Sequence, residues 1–239
     1  MGTCCSNNPG EAATEAPSVK VAGKHVAMMH LNDNVGTELF HEVPSMPELT
    51  DDVMLEAKNK LGEFKWEKIP KYTDADIEQV GPVEYANNGA IYKGQMKNGR
   101  RHGAGVQVWK DGSRYEGEWR NDKANGYGRL MHADGDVYEG QWKDDTAYGK
   151  GKYYHVQGTV YEGDWVDDVQ QGQGREEWPE GTFYEGSYVN GKKEGHGKFY
   201  WVDGSYYIGE FKDNFMNGKG NDNSNSRKVH LEQWKDLRR

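Results

Sequence analysis

Residues 115–137 read Tyr-Glu-Gly-Glu-Trp-Arg-Asn-Asp-Lys-Ala-Asn-Gly-Tyr-Gly-Arg-Leu-Met-His-Ala-Asp-Gly-Asp-Val, and residues 138–160 reopen with Tyr-Glu-Gly-Gln-Trp. Tyrosine recurs every 23 residues, at Tyr92, Tyr115, Tyr138, Tyr161, Tyr184 and Tyr207, with no insertion. A glycine stands two residues after each, from Gly94 to Gly209. Two further on come Met96, Trp119, Trp142, Trp165, Tyr188 and Phe211, and a Gly-x-Gly pair such as Gly126/Gly128 or Gly149/Gly151 closes each unit. A fixed period this short means one supersecondary unit stacked on copies of itself.

Counting each unit from its tyrosine, position 8 is Gly99, Asp122, Asp145, Asp168, Gly191 and Asn214. These residue types tolerate a positive φ, which suits the first residue of a two-residue hairpin turn. With that turn, position 1 faces 16 across the hairpin, 3 faces 14 and 5 faces 12. Positions 20 and 21 read Asp111-Gly112, Asp134-Gly135, Gln157-Gly158, Glu180-Gly181 and Asp203-Gly204, as in a three-residue loop with a left-handed glycine. Each unit is then one β-hairpin. The expected fold is mainly β: an elongated single-layer antiparallel sheet of stacked hairpins, about eleven strands and roughly 50 Å long.

Side chains alternate along a strand, so the pairing sorts residues by face. One face collects the tyrosines, the tryptophans, Leu130, Tyr153 and Phe199, and the row Trp109, His132, His155, Trp178, Trp201. Glycine opposite glycine leaves a slot on that face across which flat rings can lie. The other face is polar: Glu116, Glu139, Glu162 and Glu185 fall opposite Arg129, Lys152, Arg175 and Lys198 as cross-strand charge pairs.

Tyr115-Glu116-Gly117-Glu118-Trp119, followed by Gly126-Tyr127-Gly128 and Asp134-Gly135, resembles the MORN repeat (membrane occupation and recognition nexus). So do Tyr138-Glu139-Gly140-Gln141-Trp142 and Tyr161-Glu162-Gly163-Asp164-Trp165. The resemblance covers about 81–220, with a half-copy over 81–91, five complete copies and a sixth that stops after Gly220. Met96 replaces the aromatic residue in the first copy, and Tyr207-Ile208-Gly209 lacks the glutamate in the last. The resemblance implies roles at the cell cortex, in cilia or flagella and at membrane junctions.

The flanks divide into an anchor at 1–24, a helical segment at 25–80 and a capping helix at 221–239. Met1-Gly2-Thr3-Cys4-Cys5-Ser6 matches the N-myristoylation pattern, with two cysteines placed for palmitate. One myristoyl chain holds a protein at a bilayer only marginally, and a second makes attachment durable. Gly2, Cys4 and Cys5 are therefore the expected lipidation sites, followed by a disordered spacer. Ser45 is expected to cap a helix over 46–64, with Pro47 in its first turn and Glu48 completing a capping box. Its stripe Leu49, Val53, Ala57, Leu61 and Phe64 suits packing on the aromatic face or the first hairpin. A second helix is expected from Thr73 to Val80, and a last one over 226–238, with Val229, Trp234 and Leu237 inward.

A net charge of −9, with an acidic repeat region, argues against nucleic acid as partner, because phosphate neutralisation supplies most of that affinity. No stretch approaches the ~18 apolar residues of a membrane span, and no signal-peptide core precedes the repeats, so the expected place is the cytoplasmic face of a membrane. Gly-x-Gly never extends to a phosphate-cradling loop, and no nucleophile sits beside a base. His25, His30 and His41 are not spaced for a metal. No enzyme activity, cofactor or metal is expected.

The expected function is a membrane-anchored scaffold that holds a protein partner on an open aromatic face. Its expected contact residues are Tyr115, Trp119, Tyr138, Trp142, Tyr161, Trp165, Trp178, Tyr184 and Trp201. Two other readings stand beside it. One is direct binding of anionic phospholipid such as phosphoinositide, through the local basic patches Lys93, Lys97, Arg100, Arg101 and Lys192, Lys193. The other is a ciliary structural subunit like the MORN-containing radial-spoke heads.

Overall fold

The computed structural model describes residues 40–73 and 75–222, and its fourteen strands form one antiparallel sheet in chain order. The first two are β1 (Phe40–Glu42) and β2 (Ile77–Tyr85). The repeats then contribute β3 (Ile91–Lys97), β4 (Arg100–Val108), β5 (Arg114–Arg120), β6 (Lys123–Met131), β7 (Val137–Lys143) and β8 (Thr146–Tyr154). They continue as β9 (Val160–Val166), β10 (Val169–Glu177), β11 (Phe183–Val189), β12 (Lys192–Tyr200), β13 (Tyr206–Lys212) and β14 (Phe215–Asp222). At ~4.8 Å between strands the sheet spans about 60 Å.

β5 and β6 show the unit. Tyr115 faces Leu130 and Gly117 faces Gly128, as the sequence predicts. Nearer the turn the register slips: Trp119 faces Ala124 rather than Gly126. The turn residues are Asn121 and Asp122, with φ of 50° and 71°, so position 8 is the second turn residue and not the first. Two positive φ values define the turn that matches strand twist. The slip comes from a bulge at Gly126-Tyr127, where Gly126 has φ 59°. Asp145 also binds the neighbouring hairpin: Ala124 N donates to its Oδ1 at 2.7 Å, and Asp145 N donates to Ala124 O at 3.0 Å. Asp122 and Asp168 do the same at Arg101 and Ala147. Position 8 therefore closes its own turn and stitches it to the previous repeat. The three-residue loops are as expected, with Gly112 N donating to Trp109 O at 3.0 Å and Trp109 N to Ser113 O at 2.9 Å.

The N-terminal flank departs from expectation in two places. The one α-helix among the described residues, α1, runs Asp52–Leu61, and its cap is Asp51, which accepts from Val53 N at 2.9 Å and Met54 N at 3.3 Å. Ser45 and Glu48 form no capping box, because Pro44 and Pro47 hold the residues before them extended. The helix expected from Thr73 to Val80 is not formed, since residues 75 and 76 make a turn and Ile77 to Val80 pair with Lys97 to Gly94 as part of β2. That strand overlaps the half-copy expected over 81–91 but begins four residues earlier, and pairing it satisfies an edge that a short, marginal helix would leave open. At the other end β14 continues past Gly220, with Asn221 facing Ile208 and Asp222 facing Tyr207. The anchor expected at 1–24 and the helix expected at 226–238 fall outside the described residues.

Candidate functional site

The two faces of the sheet have different fates, and the aromatic one is filled. Tyr115, Tyr138 and Tyr184 have no exposed surface, and Trp119, Trp165 and Trp142 retain 1, 1 and 4%. Each tyrosine lies over its glycine slot and donates from its hydroxyl to the carbonyl three residues on: Tyr115 to Glu118 O at 3.0 Å, Tyr138 to Gln141 O at 2.9 Å, Tyr161 to Asp164 O at 3.1 Å. Each tryptophan reaches back one hairpin, Trp119 Nε1 to Gly105 O at 3.3 Å and Trp142 Nε1 to Gly128 O at 3.1 Å. The rings then meet edge to face in one file. Tyr115 stands 4.9 Å from Trp119 and 5.4 Å from Trp142, and Tyr138 stands 5.0 Å from Trp142 and 5.3 Å from Trp165. Such pairs add about 0.5–1.5 kcal/mol each beyond burial. Burial pushes all these phenols well above their usual titration range.

The expected open aromatic face is thereby corrected. Tyr115, Trp119, Tyr138, Trp142, Tyr161, Trp165, Trp178 and Tyr184 are buried core, and of the expected contact residues Trp201 alone is exposed, at 38%. A ring that lies flat across bare backbone covers the sheet and is itself covered by the next ring, so no patch is left. Gly2, Cys4 and Cys5 lie outside the described residues. The basic patches are largely neutralised. Lys193 is buried against Glu176 at 2.6 Å, Lys97 pairs with Asp76 at 3.1 Å, and Lys192 pairs with Asp213 at 2.7 Å.

On the polar face the charged ladder holds the predicted register, Glu116 opposite Arg129 and Glu139 opposite Lys152. The side chains, however, reach across to the next hairpin: Arg129 to Glu139 at 2.6 Å, Lys152 to Glu162 at 3.1 Å, Arg175 to Glu185 at 3.8 Å. This face also receives the N-terminal segment; of the two expected places, the aromatic face is not covered, while Leu49 and Met54 do border Ile91 and Val108 of the first hairpin. Met54 is buried with Met131 and Val137, and Leu49, Ala57, Leu61 and Tyr154 pack around them. Beyond the helix, Arg129 Nη1 donates to Gly62 O at 2.7 Å and Phe64 stacks on Tyr127 at 5.8 Å. Lys68 sits 4.1 Å over the Tyr127 ring and 3.9 Å from Glu139, and Tyr72 donates to Glu118. Burial alone would raise the Glu139 carboxyl, yet hydrogen bonds from Tyr127 and Arg129 hold it below its ordinary value.

Where this segment turns back, the polar face opens into a groove of about 850 Å³. It is lined by Lys68, Tyr127, Glu139, Lys152, Glu162, Arg175 and Glu185, over the glycine backbone of Gly140, Gly151, Gly163 and Gly174. Sequence reasoning placed these charges on one face but gave them no role beyond pairing. The glycine pairs give no signal for the groove, since the room they leave lies on the aromatic face, where a Cβ on Gly140 or Gly163 would meet the Tyr138 or Tyr161 hydroxyl. Among the described residues, no group of three or more His, Cys, Asp or Glu could hold a metal, and no helix is long and apolar enough to cross a membrane.

The MORN repeat family model matches residues 92–114, 115–137, 138–160, 161–183, 184–206 and 207–221, more than half of the chain, and every match opens on the repeat tyrosine. The chain belongs to the MORN repeat family. No curated protein matches this MORN chain significantly. Among solved structures it is similar to the SAS-4 (dCPAP) TCP domain of Drosophila melanogaster in complex with a proline-rich motif of Ana2 (dSTIL). That likeness has 15% identity and a TM-score of 0.32 over 58% of this chain and 68% of that one. It is also similar to the TCP10 domain of Danio rerio CPAP in complex with a STIL peptide, at 14% identity and a TM-score of 0.26 over 54% and 66% of the two chains. Likeness at that level carries no inference for this MORN sheet.

Proposed function

We propose that this MORN protein is a non-catalytic scaffold, held at the cytoplasmic face of a membrane by acyl chains on Gly2, Cys4 and Cys5, which grips a protein partner on its polar face. The observation that carries the reading is the division of faces. The aromatic face is spent on the core, while the polar face bears a groove of about 850 Å³ whose neighbouring stretch already holds a polypeptide, residues 49–72 of the chain itself. A surface that accepts one segment through a backbone carbonyl, a ring stack and an ammonium is chemically suited to a second. A protein partner is favoured over a phospholipid headgroup because the groove alternates cations with carboxylates, and an anion would meet Glu139, Glu162 and Glu185 there.

The two halves of the reading are separable. Gly2→Ala is expected to move the protein into the soluble fraction, since myristate-driven sampling of the membrane precedes palmitoylation. A membrane fraction unchanged by that substitution contradicts the anchor. Lys152→Glu with Arg175→Glu is expected to lower partner recovery by tenfold or more while leaving the protein on the membrane. Trp201→Ala, at the exposed end of the aromatic face, is expected to leave recovery intact. The reverse pattern contradicts the polar-face assignment.

A further inference from the structure

One ladder of facing residues crosses the polar face near its three-residue loops. Met131 faces Val137, Val137 faces Tyr154 and Tyr154 faces Val160. Val160 then faces Glu177, Glu177 faces Phe183, Phe183 faces Tyr200 and Tyr200 faces Tyr206. α1 covers the first stretch, through Met54, and its apolar cluster ends at Tyr154. From Val160 onward the ladder is half-buried, apart from exposed Glu177, with Phe183 and Tyr200 stacked at 4.5 Å.

The repeat makes the covered stretch a template for the open one. Two repeats beyond Arg129, Glu139, Val137 and Tyr154 stand Arg175, Glu185, Phe183 and Tyr200. Arg129 is 2% exposed, forks onto Glu139 at 2.6 and 2.8 Å, and donates to the carbonyl that ends α1. Arg175 donates to Glu177 at 3.0 Å, stands 3.8 Å from Glu185 and 3.8 Å over the Phe183 ring, and its side chain is 42% exposed. The equivalent guanidinium is thus sealed by a helix end at one place and, at the other, open and shared between two carboxylates. One rung differs: Glu177 stands where the template has Met131.

We propose that the open half of this ladder seats a short amphipathic helix of the partner, laid end to end with α1. This rests on the reading of the polar face as the working surface and adds the chemistry of the occupant. From Val160 on β9 to Tyr206 on β13 is four strand spacings, roughly 19 Å, which about 13 helical residues span. The helix carries apolar residues at the spacing of Met54, Ala57 and Leu61, and a basic residue among them to meet Glu177. Its last-turn carbonyl takes the Arg175 guanidinium.

The probe is a synthetic peptide with the sequence of residues 49–69 carrying Met54→Lys, which suits Glu177 and is disfavoured at the apolar site that α1 already fills. Titrated into the full chain, it is expected to bind one to one. Phe183→Ser, and separately Glu177→Lys, are expected to weaken binding at least tenfold, with circular dichroism and melting showing each variant folded. Because Glu177 is exposed, its variant keeps the test decisive even where Phe183→Ser unfolds. Absence of saturable binding overturns the proposal, as does binding that ignores both substitutions. So does a dimer that requires Phe183, which would make a second copy the occupant. If the peptide fails while Lys152→Glu with Arg175→Glu still removes the membrane partner, the helix falls and the scaffold stands. If neither has an effect, the polar-face reading falls with it.

Discussion

At the scale of single residues, the fold depends on glycines that keep room for rings. A Cβ on Gly163 would lie 2.5 Å from the Tyr161 hydroxyl, 2.6 Å from Gln173 O and 2.6 Å from the Gly174 Cα. Two of those neighbours are backbone and cannot rotate away. Gly163→Ala is therefore expected to cost about 1–3 kcal/mol, measured by urea unfolding, through overpacking. Glu162→Ala, one residue earlier and on the exposed face, should cost about 0.5 kcal/mol. Glu139 is a poor control for this comparison, because its removal strands the buried Arg129. The tyrosines allow a second test. Their folded titration points lie above the ordinary 10.0 because burial excludes the phenolate. Their contribution to stability is full below pH 10 and is lost as pH rises beyond it. The tyrosinate absorbance of the buried ring file should thus appear only together with loss of the β-sheet circular dichroism signal, whereas exposed Tyr148 is under no such constraint. Absorbance amounting to all 15 tyrosines while the sheet stays folded would contradict their burial.

At the scale of elements, the repeat hairpins were legible in the sequence and the flank was not. A strict period fixes what pairs with what, since position 1 must meet 16 in every copy. It does not disclose the bulge at Gly126-Tyr127, which moves Trp119 opposite Ala124 without changing the period. The glycine slots also held more than was read from them: rings that lie flat across bare backbone must cover one another, and so close the face they line. For α1, the stripe showed that one side is apolar but not which face of the sheet receives it. The receiving residues, Met131 and Val137, stand in a row with Tyr154 and Val160 that runs beside the charged ladder on the same face. The docked segment is expected to respond to acid. Glu139 has its carboxyl below the ordinary 4.5, despite burial, because Tyr127 and Arg129 bind its ionised form. Its contribution is complete above about pH 4.5 and fades as pH falls through the lowered folded value. Amide exchange in residues 62–69 should accelerate below that pH before exchange in β7 does. Simultaneous loss of both would show that the segment has no separate equilibrium.

At the scale of the whole molecule, one layer of sheet makes both a core and a working surface by giving each face one task. Flat rings over paired glycines supply the buried apolar area that a second layer would otherwise provide, and they consume the aromatic face in doing so. That leaves the charged face for the chain's own N-terminal segment and for the groove beside it. Hydroxyl-radical footprinting of the intact protein without partner tests this division most directly. Tyr115, Trp119, Tyr138, Trp142 and Trp165 are predicted to resist oxidation, while Trp66 and Trp201, exposed at 41 and 38%, are modified rapidly. Rapid modification of Trp119, Trp142 and Trp165 in the folded protein would contradict it and return the aromatic face to solvent.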